Sequence, residues 1–84
     1  MIKLKHLVLE EQGIHARPAT VLVSTAKKYH SDIILRNGSE SVDMKNLFQL
    51  MKSGVKQNDI IEIEISGEDE AQAAKDVEVI ISAL

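Results

Sequence analysis

The stretch Ile60-Ile61-Glu62-Ile63-Glu64-Ile65 constrains this chain more than any other. Successive side chains of a strand point to opposite faces. A run with isoleucine on one side and glutamate on the other therefore makes a strand with one dry and one wet face. Ile61, Ile63 and Ile65 go inward, and Glu62 and Glu64 go out to water. A single wet face is the habit of antiparallel sheets.

The remaining chain supplies partners for that strand. Residues 2–9 alternate less cleanly, with Ile2, Leu4, His6 and Val8 expected inward and Lys3, Lys5, Leu7 and Leu9 outward. From Ala16 to Tyr29 the period lengthens. Ala19, Leu22, Val23, Ala26 and Tyr29 or His30 form a helical stripe, opposite Arg17, Thr20, Ser24, Lys27 and Lys28. Asp32 to Arg36 reads as a strand, and Asn37-Gly38 as a two-residue hairpin turn in which both residues tolerate positive φ. Glu40 to Met44 returns with Val42 inward. Lys45 to Ser53 reads as a short helix stopped by Gly54, and Val55 to Asp59 as a loop. A last helix over about 70–83 buries Ala74, Val77, Ile81 and Leu84, with Ala73 and Ile80 beside them. The order is β-α-β-β-α-β-α. One apolar side per strand makes this an α+β fold, a four-stranded antiparallel sheet with three helices on one face. At 84 residues the chain is one domain, 1–84.

Composition removes several functions. The net charge is -3, and Tyr29 and Phe48 are the only aromatic residues, so neither a basic footprint nor a stacking platform serves nucleic acid. The absence of cysteine excludes disulfides and thiolate chemistry. No signal-peptide pattern or membrane-length apolar run occurs, which points to a cytoplasmic protein without membrane insertion. Asn37-Gly38-Ser39 matches a glycosylation sequon, but without a secretion signal the match is taken as chance. His6 and His30 have no second ligand at metal spacing, so no metal or cofactor is expected. No phosphate loop or nucleophile elbow is present.

Chemistry concentrates in Gly13-Ile14-His15-Ala16-Arg17-Pro18-Ala19-Thr20. Gly13 allows a sharp entry. Pro18 suits the first turn of a helix, where its missing N–H has no partner to lose. The octet thus puts a histidine at a helix mouth, where free N–H groups and the helix dipole receive anions. His15 could merely cap the helix, although histidine is not a leading N-cap residue. It could equally be a phosphoryl acceptor or general base, because neutral imidazole is a good nucleophile near pH 7. Arg17 adds a planar cation able to bind phosphate oxygens. Spacing alone leaves both readings open.

The octet resembles the phosphohistidine motif of the HPr family, the phosphocarriers of the bacterial sugar phosphotransferase system. Ser31-Asp32-Ile33, Lys45 through Met51, Gly54-Val55 and Gly67-Glu68-Asp69-Glu70 resemble later blocks of that family in the same order. The resemblance implies an open-faced β-sandwich and a carrier rather than an enzyme. It implies that His15 accepts a phosphoryl group on Nδ1 from phospho-enzyme I and passes it to enzyme II A domains. Arg17 and the backbone N–H groups of Ala16 and Arg17 would hold the phosphate, and the protein would act as a monomer.

A second patch would bring partners close. Leu47, Phe48, Leu50 and Met51 are more apolar residues than one face of so short a helix can bury. Leu47 and Phe48 are expected to be partly exposed, and Leu50 and Met51 mostly core. In HPr-like proteins this helix docks on enzyme I. By that resemblance the partner surface comprises Thr20, Ser24, Lys27, Lys45, Leu47, Phe48, Met51 and Lys52, its lysines meeting acidic partners. Many Gram-positive relatives carry a kinase-phosphorylated serine where this chain has Asn46. An amide cannot take that phosphate, so no regulatory serine is expected. The departure leaves a second reading, an HPr-like regulatory binding module that keeps the histidine but serves another circuit.

Overall fold

The alternating strand lies inside the sheet. The computed structural model describes every residue from Met1 to Leu84. In it, β4 (Ile60–Ser66) pairs antiparallel with β1 (Ile2–Leu7) on one side and with β2 (Asp32–Asn37) on the other. The hairpin partner of β2 is β3 (Glu40–Asp43), so the sheet order is β1-β4-β2-β3. Lys3 stands opposite Glu64, and Lys5 opposite Glu62. The Arg36 guanidinium bonds Glu64 from the other side. Opposite charges across neighbouring strands stabilise the wet face modestly.

The dry face carries α1 (Ala16–Ala26), α2 (Leu47–Met51) and α3 (Glu70–Ile81). Ile33, Leu35, Ile61, Ile63 and Ile65 of the sheet are fully buried beneath Ala19, Leu22 and Ala26 of α1, Leu50 of α2, and Ala73 and Val77 of α3. Both α2 and α3 pack against α1, which places the mouth of α1 between them.

Several expected boundaries move, each for a local reason. β1 stops at Leu7 because Val8 turns to bond the 58–59 turn. Its N–H donates to the Asp59 carbonyl at 2.9 Å, and its carbonyl accepts from the Asn58 N–H at 2.8 Å. Val8 is still buried, and Leu9 is exposed. α1 ends at Ala26, and residues 27–29 tighten: the Lys28 and Tyr29 N–H groups donate to carbonyls three residues back. The hairpin loop is Gly38-Ser39 rather than Asn37-Gly38. Asn37 pairs with Glu40 inside the ladder, and of the turn residues only Gly38 has positive φ, +63°. Glycine at the first central position is the II′ pattern.

Met44 leaves the ladder yet is completely buried, a core residue the strand pattern does not reveal. Met51 corrects an expectation: it is 48% exposed rather than core. In a five-residue helix, Met51 and Leu47 stand four positions apart on the outer face, and only Leu50 reaches inward.

Candidate functional site

The route from β1 to α1 is bolted down just before His15. Gly13 donates to the Glu10 carbonyl at 2.9 Å and has φ +62°. It lies so close to Val55 that an added Cβ would stand 2.1 Å from the Val55 carbonyl oxygen. Only glycine meets both demands. Ile14 is buried next to it. The chain therefore enters α1 from a fixed direction.

His15 is the N-cap residue of α1, extended at φ −121° and ψ −172°. Its carbonyl accepts the Ala19 N–H at 3.0 Å, but its ring caps nothing. The half-buried imidazole is thus unspent. The N–H groups of Ala16 and Arg17 have no partner in the chain, Pro18 has none to offer, and the first turn holds no acidic residue. Free donors and the helix dipole, with no acidic residue in the first turn, suit the space beside the ring to an anion. Arg17 is exposed and forms no ion pair. It is the only lysine or arginine lining the open groove of about 740 Å³ that contains His15.

The partner-surface residues divide. Phe48 is 68% exposed with the Lys52 ammonium 4.4 Å from its ring centre, and Leu47 and Met51 are exposed beside it. Thr20 and Ser24 are exposed on α1, their hydroxyls donating to the carbonyls of Ala16 (2.8 Å) and Val21 (3.1 Å). Lys27 caps the end of α1 and is exposed. Lys45 differs: it is half-buried, and its ammonium donates to the Tyr29 carbonyl at 2.8 Å, tying the end of α1 to the entry of α2. Asn46 caps α2, its side-chain oxygen accepting the Gln49 N–H at 3.0 Å. Ser53 is 6% exposed, its hydroxyl buried without a partner.

The other histidines stand apart. His6 faces the helix side of β1 with Nε2 buried and unpaired, and His30 is exposed. No cluster of metal-ligating side chains exists. The perturbed carboxyls also lie away from His15. Asp69 is held at about 2 by the Ser31 hydroxyl, with the His30 and Ser31 N–H groups adding to it. Tyr29 is raised by its hydrogen bond to Asp76.

The structure adds walls that the sequence reading did not place at the site: Glu10, Gln12, Val21, Val79, Ile80, Ala83 and Leu84 line the same groove as His15, Arg17 and Pro18. Leu84 arrives there because its oxygen accepts the N–H groups of Leu9 and Glu10, both at 2.5 Å. One signal was present in the sequence: Val79 lies off the buried stripe of α3.

An unspent histidine at an anion-binding helix mouth, on an open-faced sandwich, defines the class as a small phosphocarrier domain. Comparison with known proteins agrees. Residues 2–83 match the family described as PTS HPr component phosphorylation site. The fold is similar to the histidine-containing phosphocarrier protein of Mycoplasma, with 27% identity over 98% of this chain and 93% of that one and a TM-score of 0.95. It is similar to HPr of Thermoanaerobacter tengcongensis, with 30% identity over 99% and 93% and a TM-score of 0.91. It is also similar to Crh of Bacillus subtilis, a catabolite-repression protein seen as a domain-swapped dimer, with 28% identity over 99% and 95% and a TM-score of 0.78. The chain belongs to the HPr family of the phosphotransferase system, whose members carry phosphoryl groups rather than catalyse their transfer.

Proposed function

We propose that His15 is the phosphoryl acceptor, that phospho-enzyme I charges it, and that enzyme II A domains discharge it during sugar uptake. The observation that carries this reading is the unspent His15 ring beside the free N–H groups of Ala16 and Arg17. A ring-nitrogen lone pair attacks the donor's phosphorus. The new N–P bond forms as the donor's N–P bond breaks, and the donor imidazole leaves with its own proton. Nothing is oxidised and no water is consumed. Phosphoryl transfer asks mainly for positioning and charge neutralisation. One arginine and two N–H groups neutralise part of the charge without trapping it. Metal and cofactor have no role, and the protein works as a cytoplasmic monomer.

The test is labelling from phosphoenolpyruvate in the presence of enzyme I. The wild-type protein acquires an acid-labile phosphate and His15→Ala does not. Persistent labelling of that variant would sink the assignment.

A second reading is a regulatory binding module that keeps the histidine but serves another circuit. Asn46 and the similarity to Crh favour it. Relay separates the two: a protein that labels on His15 but discharges to no A domain belongs to the second.

A further inference from the structure

The chain between β1 and α1 is braced on both sides of its bend by one segment, residues 55–59. Before the bend, Val8 exchanges backbone bonds with Asn58 and Asp59, and the Gln57 side-chain amide donates to the Leu9 carbonyl at 3.3 Å. After it, Gly13 lies so near that an added Cβ would stand 2.9 Å from the Lys56 Cα, and the Ile14 N–H donates to the Val55 carbonyl at 3.4 Å. Ile14 is the residue next to His15. A shift of the 55–59 segment therefore reaches the ring through main chain, without passing through α2 or α3.

The brace has to be held in shape. Asn58 is the one non-glycine residue of the chain with positive φ, +74°, a conformation that L residues rarely adopt. Asp59 closes the turn around it. Its N–H donates to the Lys56 carbonyl at 3.1 Å, and its carboxylate accepts the Lys56 N–H at 2.9 Å. The same carboxylate oxygen accepts the Asn37 side-chain amide at 3.3 Å, which ties the turn to the end of β2. Asp59 is half-buried and forms no ion pair, so its side chain acts here as an acceptor of two N–H groups.

Building on the phosphocarrier reading, we propose that Asp59 is a positioning residue for His15. Its carboxylate holds the 55–59 turn, the turn holds Gly13 and Ile14, and these set the direction from which the His15 ring meets its partner. Transfer is sensitive to such placement, because a displacement of about 1 Å at a reacting group can cost on the order of a hundredfold in rate. The site needs an acceptor at one point in space rather than a negative charge.

The test is rapid-quench transfer from purified phospho-enzyme I to Asp59→Asn, Asp59→Glu and Asp59→Ala, with the saturating rate and the half-saturating concentration read separately. An amide oxygen accepts the same two N–H groups, so Asp59→Asn is expected to stay within about twofold of the wild-type rate. Asp59→Glu keeps the charge but carries its acceptor one methylene too far. Its saturating rate is expected to fall about fivefold, and that of Asp59→Ala about tenfold. Half-saturation stays at the wild-type value throughout, because the α2 patch is untouched. The His15 ring proton resonances of the free protein shift in Asp59→Glu and Asp59→Ala but not in Asp59→Asn, which a loss of stability alone would not produce. Should Asp59→Ala fail to fold, Asp59→Asn and Asp59→Glu decide the matter between them. A slow Asp59→Asn beside a wild-type Asp59→Glu makes charge the cause and overturns the proposal, as do wild-type rates in every folded variant. If His15→Ala is then still unlabelled, the carrier reading survives that loss. Labelling of His15→Ala overturns both.

Discussion

A methyl group added to Gly13 would stand 2.1 Å from the carbonyl oxygen of Val55, well inside van der Waals contact. The left-handed backbone at Gly13, φ +62°, would add strain of its own. The clash is with main chain, so no side-chain rotation relieves it. Gly13→Ala is expected to cost about 2–4 kcal/mol in urea unfolding. Its labelling rate, measured where the variant is still folded, should also fall, because His15 lies two residues on and inherits any shift. A wild-type rate would mean that the entry to α1 adjusts without moving the ring.

Asp69 sets an acid limit. It joins two turns by accepting from the Ser31 hydroxyl, the Ser31 N–H (2.9 Å) and the His30 N–H (2.8 Å). These bonds favour the carboxylate and hold its pKa at about 2, below the ordinary value near 3.8. A carboxyl depressed in the folded state makes the unfolded state the better proton binder between those values. Stability from this cluster is therefore complete above the unfolded value and lost as pH falls through about 2. Glu70, lowered by the N-terminal amine and the Gly67 N–H, acts with the same sign. Urea midpoints measured from pH 5 to pH 2 should fall less steeply in Asp69→Asn than in wild type. Parallel curves would remove Asp69 from the acid response.

The α2 helix is expected to separate docking from stability within a few residues. Leu50 is fully buried and Phe48 is 68% exposed. Leu50→Ala is expected to cost about 2–5 kcal/mol through lost burial and a cavity. Phe48→Ala should change stability by no more than about 0.5 kcal/mol. In transfer from phospho-enzyme I, however, it should raise KM about tenfold. Chemical denaturation and transfer kinetics on the same two proteins decide this, and an unchanged KM for Phe48→Ala would remove the patch from docking.

These residues also show what the sequence could reveal. The Ile60–Ile65 alternation predicts one wet face because a period of two has no other solution in a sheet. The octet at His15 was legible because proline, glycine and histidine each constrain a few adjacent backbone positions. Long-range geometry was not. Met51 looks like core in a list of apolar residues, and only the shortness of α2 turns it outward. Val79, Ile80 and Leu84 reach the groove through the packing of α3 against α1 and the bonds from Leu84 to Leu9 and Glu10. No local pattern encodes that meeting. The hairpin slipped by one residue because Asn-Gly and Gly-Ser are both acceptable turn pairs, and the β2–β3 register chose between them.

Asn46 offers a charge test of the docking side. It caps α2 through its side-chain oxygen, a task aspartate performs equally well. Asn46→Asp should therefore leave stability near wild type, whereas Asn46→Ala should cost about 1 kcal/mol. The aspartate would still place a negative charge between Lys45 and Leu47, on the face expected to meet an acidic partner. KM for phospho-enzyme I should rise several-fold, more at low salt than at high salt. An unaltered KM would mean that the partner's charge lies elsewhere.

Arg17→Lys asks whether the site needs a fork or only a charge. The Arg17 side chain is exposed, has no carboxylate partner and lines the His15 groove, so nothing in the free protein holds it in place. Its stability contribution is correspondingly small, and the variant should unfold with wild type. A guanidinium can present two parallel donors to phosphate oxygens, whereas an ammonium is a flexible point charge. The lysine variant should still label on His15 but pass its phosphoryl group on about tenfold more slowly, because geometry rather than affinity is lost. Arg17→Ala should be slower still, since it loses the charge as well. Rapid-quench transfer to an A domain measures all three proteins. Equal rates for wild type and Arg17→Lys would reduce Arg17 to a point charge. Equal rates for all three would leave the N–H groups of Ala16 and Arg17 as the only groups holding the phosphate.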